Sequence, residues 1–100
     1  MILKIRLLLI TAQLRQLEIF RALNHQGNVA ITLTNLGNTL IDMEKYEEAR
    51  NVLQEALVLK ERLYGVDSKD IIHTLNRLSK AQRLLGQLED ARGHAERALR

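Results

Sequence analysis

Residues 29–57 read VAITLTNLGNTLIDMEKYEEARNVLQEAL and residues 71–99 read IIHTLNRLSKAQRLLGQLEDARGHAERAL; set one above the other, at a constant offset of 42, they align without a gap. The identities are Thr32/Thr74, Leu33/Leu75, Leu36/Leu78, Glu47/Glu89, Ala49/Ala91, Arg50/Arg92, Ala56/Ala98 and Leu57/Leu99, with Val29/Ile71 and Glu48/Asp90 as near matches. Most of these are large apolar or small residues at helical spacing. A repeated unit of this size is a supersecondary module that cannot bury its apolar face alone, so it stacks on copies of itself. Function then belongs to the surface that the stack exposes, and chemistry is not expected.

Outward from the repeat, five helical segments follow from periodicity and stop signals. The first covers residues 2–23 and ends at Asn24-His25-Gln26-Gly27. Its apolar stripe (Leu3, Leu7, Ile10, Leu14, Leu17) is expected to pack on the first repeat. A second begins at Asn28, read as its cap, and buries Val29, Leu33, Leu36, Leu40 and Met43. The third runs over residues 46–63 with Ala49, Val52, Leu53, Ala56 and Leu57 inward, and Gly65 closes it. Asp67 and Ser68 cap the fourth, which buries Ile71, Leu75, Leu78 and Leu85. Gly86 marks the last turn, and the fifth helix, from Leu88, turns Ala91, Ala95, Ala98 and Leu99 inward. Small Ala49 and Ala91 read as the points of closest helix approach within each unit.

Composition narrows the functional classes. The 100 residues contain no proline, five glycines and three aromatics, which suits helices and gives little support to strands. Without cysteine there are no disulfides, thiolate nucleophiles or Cys-based zinc sites, and the chain fits a reducing, cytoplasmic setting. The net charge of +3 is modest, and no Arg/Lys run or interleaved aromatics mark a nucleic-acid binder. Lys4 and Arg6 interrupt the apolar start, which is too short to span a bilayer and lacks a signal-peptide cleavage site. The absence of acids before Glu18 is also transit-peptide composition, though a packed helix is the better reading.

These residues resemble the tetratricopeptide repeat. Leu33, Leu36, Gly37, Leu40, Tyr46, Ala49, Leu53 and Ala56 stand at that family's packing positions, and Leu75, Leu78, Ser79, Gln82, Gly86, Leu88, Ala91, Ala95 and Ala98 follow in the second copy. The 42-residue period looks like the kinesin light chain variety. The resemblance implies an all-α fold of antiparallel helix hairpins stacked as a short right-handed superhelix, with residues 1–27 a partial preceding repeat, 28–67 one repeat and 68–100 another. Leu33 and Leu75 replace the signature tryptophan, the loop lacks its usual proline, and Gln82 falls on the core stripe.

In this family the first helix of each repeat lines a groove that holds an extended peptide. By that resemblance His73, Asn76, Arg77, Lys80 and Arg83 form one wall, and Ile31, Thr34, Asn35, Asn38 and Ile41 the other. The candidate peptide-binding residues are therefore Thr34, Asn35, Asn38, His73, Asn76, Arg77, Lys80 and Arg83. Arg binds carboxylates bidentately and Asn can hydrogen-bond an extended backbone, so the partner implied is an acidic peptide. The lysine pattern of the carboxylate clamp is missing, so a chaperone C-terminus is not implied. His25, His73 and His94 lack metal-ligand spacing, and no phosphate-binding or nucleophile motif occurs. We therefore expect no cofactor, no metal and no enzyme. The alternative is a self-associating structural or regulatory segment that uses the first helix or the C-terminal helix and takes no peptide.

Overall fold

Three turns of one design set the architecture. In the computed structural model, which describes residues 2–99, the amide nitrogens of His25, Lys45 and Gln87 donate to the carbonyls of Phe20, Leu40 and Gln82 at 2.8–2.9 Å. Each bond closes over a residue in the left-handed region: Asn24 (φ 57°), Glu44 (φ 62°) and Gly86 (φ 81°). This is the C-terminal cap that satisfies the last carbonyls of one helix and reverses the chain into the next. The five helices are α1 (Ile2–Ala22), α2 (Gln26–Asp42), α3 (Tyr46–Tyr64), α4 (Ile72–Leu84) and α5 (Leu88–Ala98), and no strand occurs among the described residues. Asn24, within the expected stop cluster, ends the first helix; α2 starts two residues before Asn28, and its capping position is His25, without a side-chain cap. The α3–α4 link is different. Gly65 (φ 94°) ends α3, and Ser68 accepts from the Asp70 amide to start a short 3-10 turn, Lys69–Ile71, that leads into α4.

Helices α2 with α3 and α4 with α5 form two antiparallel hairpins, and α1 packs on α2. The core is aliphatic and runs through both. Leu36, Leu40, Leu53, Leu57, Ile71, Leu75 and Leu78 form one cluster, and Leu17, Val29, Leu33 and Ala56 form another, bridged by Val52. Each fully buried leucine contributes about 1.5–3 kcal/mol. Glu47 and Glu48 on α3, and Glu89 and Asp90 on α5, sit in first turns where they complement the helix dipole.

Several expectations about packing change: Leu99, expected inward, is 87% exposed, and Met43 and Leu85 are only partly buried. On α1 the buried residues are Gln13 and Leu17, flanked by the partly buried Ile10 and Phe20, whereas Leu3, Leu7 and Leu14 are exposed. The helix meets α2 on the face of positions 10, 13, 17 and 20, which keeps Ile10 and Leu17 of the expected stripe and is rotated by about 60° from its centre. On α3, Ala49 is buried as expected, but the α2–α3 crossing is set by Gly37: a Cβ there would fall inside van der Waals contact with Leu53. At the equivalent positions of the second hairpin stand Ser79 and Ala95. The larger residue on one helix is matched by a smaller one on the other, and Ser79 Oγ donates to the Ala91 carbonyl at 2.6 Å.

Gly37→Ala is therefore expected to cost about 1–3 kcal/mol by overpacking, and Leu53→Ala alone about 2–5 kcal/mol by cavity formation. The double variant, which approaches the Ser79/Ala95 arrangement, is expected to cost less than the sum of the two singles in a denaturant double-mutant cycle. Glu44→Gly is expected to stabilise by up to about 1 kcal/mol, since glycine carries no Cβ penalty at positive φ; thermal melts measure it.

Candidate functional site

At 100° per residue, positions 31, 35, 38 and 42 of α2 fall in one row, and positions 73, 77, 80 and 84 of α4 fall in another. The offset of 42 carries each member of the first onto a member of the second. The α2 row is Ile31, Asn35, Asn38 and Asp42; the α4 row is His73, Arg77, Lys80 and Leu84. Every one is exposed or only partly buried; the positions between them are all buried on α2, and on α4 all but Asn76, Ser79 and Arg83 are. One row is thus amide-bearing with a single acid at its end, and the other is cationic with one apolar member.

A buried chain of hydrogen bonds holds the two helices side by side. Lys60 Nζ on α3 donates to Thr74 Oγ1 at 2.9 Å, Thr74 shares a 3.1 Å bond with Thr34 Oγ1, and Thr34 donates to the Ala30 carbonyl at 2.9 Å. The direction is fixed throughout. An ammonium only donates and a carbonyl only accepts, so the Thr74 hydroxyl must donate to Thr34. The three helices α2, α3 and α4 are joined by this chain at the repeat interface.

This geometry sorts the expected site residues. Asn35, Asn38, His73, Arg77 and Lys80 lie in the two rows. Thr34 does not: it is buried in the interface with both of its hydroxyl bonds engaged, so it offers nothing to a ligand, and Ile41 is buried with it. Asn76 and Arg83 are the repeat equivalents of Thr34 and Ile41, and accordingly stand on the flank of α4, exposed but outside the row. The reading that gathered all eight into one stripe widened a face by about 60–80° on the side that helices use for stacking. Lys60 was missed. Its signal was the spacing 53, 56, 57, 60 on α3, which puts a lysine in the apolar stripe.

The electrostatics of the α4 row are one-sided. Five ion pairs occur among the described residues, Arg21–Glu55, Lys45–Glu48, Arg50–Glu47, Arg92–Glu96 and Arg97–Glu61, and none uses His73, Arg77 or Lys80. Arg77 Nε is buried without a hydrogen-bond partner. Burial first, then the charges of Arg77 and Lys60, hold the His73 pKa below the usual imidazole value. Lys60, 8% exposed, is likewise pushed down by burial, against the opposing pull of Asp70. An anion set against this row would meet uncompensated positive charge.

Gln82, the polar intruder on the core stripe, has a partner. His94 Nδ1 lies 2.7 Å from Gln82 Oε1, and since an amide oxygen only accepts, the ring nitrogen donates. The equivalents in the first hairpin are Leu40 and Val52, so a polar pair stands where the other repeat has an apolar one. On the far side of the stack Arg97 donates to Glu61 Oε2 at 2.8 Å and to the Val66 carbonyl at 3.1 Å, closing a hollow of about 410 Å³ beside the α3–α4 loop. No three His, Cys, Asp or Glu residues cluster to hold a metal among the described residues. Nor is any described helix long and apolar enough to cross a membrane.

A family model of the tetratricopeptide repeat matches residues 28–100. The chain belongs to the tetratricopeptide repeat family. The match spans both hairpins of the structure and starts within α2. No curated protein matches the chain. Tetratricopeptide repeats mediate protein–protein interaction, and the first helices of the two hairpins here are α2 and α4, the helices that carry the rows.

The His94 environment predicts a pH dependence of stability. Burial, then the Arg97 charge, lowers its pKa from 6.5, with Asp90 and Glu61 opposing. The folded state thus binds fewer protons than the unfolded chain between the lowered value and 6.5, and His73 acts in the same sense. Stability is expected to be fully present above pH 6.5 and to decline as pH falls through the folded values, with a slope of at most about 1.4 kcal/mol per pH unit for each histidine. Urea melts at a series of pH values measure it, and His94→Gln is expected to flatten the decline.

Proposed function

We propose that this tetratricopeptide repeat protein is a non-enzymatic interaction module that binds an extended acidic segment of a partner across the α2 and α4 rows. The observation that carries the reading is the pairing of an amide row, Asn35 and Asn38, with a cationic row, His73, Arg77 and Lys80, at repeat-equivalent positions of adjacent helices. Asparagine amides can pair with the backbone of an extended chain, while the guanidinium of Arg77 offers a carboxylate a bidentate partner. Ile31 and Leu84 flank these groups and favour an apolar side chain at either end of the segment. The concave geometry comes from the family; Asn76 and Arg83 stand at its margin. The 42-residue period supports the kinesin light chain variety of the repeat, with one repeat over residues 28–67, another over 68–100 and α1 as part of a preceding unit. A cytoplasmic setting accords with the cysteine-free sequence.

Titration with acidic, neutral and basic peptides of equal length tests the proposal. The acidic series is expected to bind, to weaken as salt rises, and to lose at least about tenfold in affinity in Arg77→Glu and Lys80→Glu. Arg92→Glu, on the far helix, serves as control and is expected to bind as the parent does. Equal binding of acidic and basic peptides at low salt, or none of either, would overturn the electrostatic reading.

A further inference from the structure

His73, Arg77 and Lys80 occupy successive turns of one row of α4. Side chains four residues apart on a helix are neighbours, with Cβ atoms about 5–6 Å from each other, and two like charges so placed repel. The imidazole of His73 and the guanidinium of Arg77 therefore oppose each other whenever both are charged. We propose, resting on the acidic reading of the two rows, that His73 makes the binding of an acidic segment respond to pH. A carboxylate held by Arg77 and Lys80 draws a proton from solvent onto the imidazole, so the row grips acidic partners more tightly as pH falls below neutrality.

The surroundings of His73 disfavour its charge in the free chain. Burial comes first, then Arg77 on its own helix and Lys60 on α3, and all three hold its pKa below 6.5. Arg77 is partly buried down to its Nε, so the guanidinium is not free to swing away from the imidazole. The acids of the neighbouring elements are placed elsewhere. α2 carries one ionisable group, Asp42, at the opposite end of its row from Ile31, the equivalent of His73. On the 3-10 turn, beside Lys69, the Asp70 carboxylate accepts from Ser68 Oγ at 3.0 Å and its pull is on Lys60. Glu61 of α3 is taken by Arg97 of α5, and His94 of α5 turns to Gln82. Glu89, Asp90, Arg92 and Glu96 of α5 are exposed, and no acid among the described residues acts on His73. An acidic ligand supplies the negative charge that the imidazole lacks.

Proton and ligand then favour each other, because the effect of one on the binding of the other is reciprocal. With its pKa below 6.5, His73 is mostly neutral at pH 7 in the free chain; a carboxylate beside it favours the imidazolium and raises the pKa. Affinity therefore climbs as pH falls through the interval between the bound and the free values, by at most about tenfold per pH unit, and levels off below the free value. Histidine alone among the side-chain types of the row titrates near neutrality.

Fluorescence anisotropy with an extended peptide whose only ionisable groups are aspartates tests the proposal at about pH 5.5 and about pH 7.5, where those carboxylates stay charged. The full chain is expected to bind roughly tenfold more tightly at the lower pH, and the ratio between the two is expected to fall to about one in His73→Gln. His73→Lys, charged at both, is expected to lose the dependence as well. His94→Gln changes the pH dependence of stability but lies outside the rows, and is expected to keep the parent's ratio. In an NMR titration the His73 ring is expected to take up its proton at a higher pH when the peptide is present. Equal affinity at the two pH values, a ratio unchanged in His73→Gln, or a ring titration unmoved by peptide would overturn the inference and leave the acidic reading standing. No binding of the acidic peptide at either pH would overturn both.

Discussion

The alignment of α2 against α4 depends on one buried run of hydrogen bonds, Lys60 to Thr74 to Thr34 to Ala30. Each donor and acceptor along it has a single direction, so the run tolerates only one relative placement of the three helices it joins. A stack held by leucines alone could slide by part of a turn at modest cost, because apolar contact is non-directional. The hydroxyls remove that freedom. They also relate the two rows, since Asn35 follows Thr34 directly and Arg77 lies three residues after Thr74. The registry of the interface thus determines the registry of the surface. Its cost is a lysine held out of water, with only the nearby Asp70 to favour its charge.

Much of the fold was legible because the same pattern is written twice. Positions 33, 36, 49 and 56 recur at 75, 78, 91 and 98, and a repeated apolar position is almost always a core position. The hairpin turns were less legible. Glycine at 86 announced its turn, but glutamate at 44 and asparagine at 24 do the same task without the usual residue. The packing side of α1 was misread for a related reason. So many of its residues are apolar that several stripes fit a helical period, and only the neighbour decides which of them is buried.

The candidate surface was legible in kind more than in extent. Repeat equivalence finds the rows at once when it is used to compare burial as well as identity: Thr34 packs in the interface, whereas its equivalent at 76 stands exposed on the flank of α4. An angular window of 120° on a single helix holds both faces and cannot separate them. The interior departures from the family pattern also have causes that one sequence position cannot reveal. Gln82 looked like a defect until His94 supplied its partner, and Ser79 stands where a glycine would be expected because Ala95 leaves it room.

The exchange of sizes between Gly37/Leu53 and Ser79/Ala95, joined to that of Leu40/Val52 for Gln82/His94, makes the hairpin the unit of inheritance in this molecule. A first helix fits the second helix it was selected with, and a hybrid of α2 with α5 would face Leu40 with His94 and Gly37 with Ala95, an unmatched polar group in one place and a void in the other. Recombination or design that lengthens such an array therefore has natural joints between hairpins, and a cut inside one would separate residues that only make sense together.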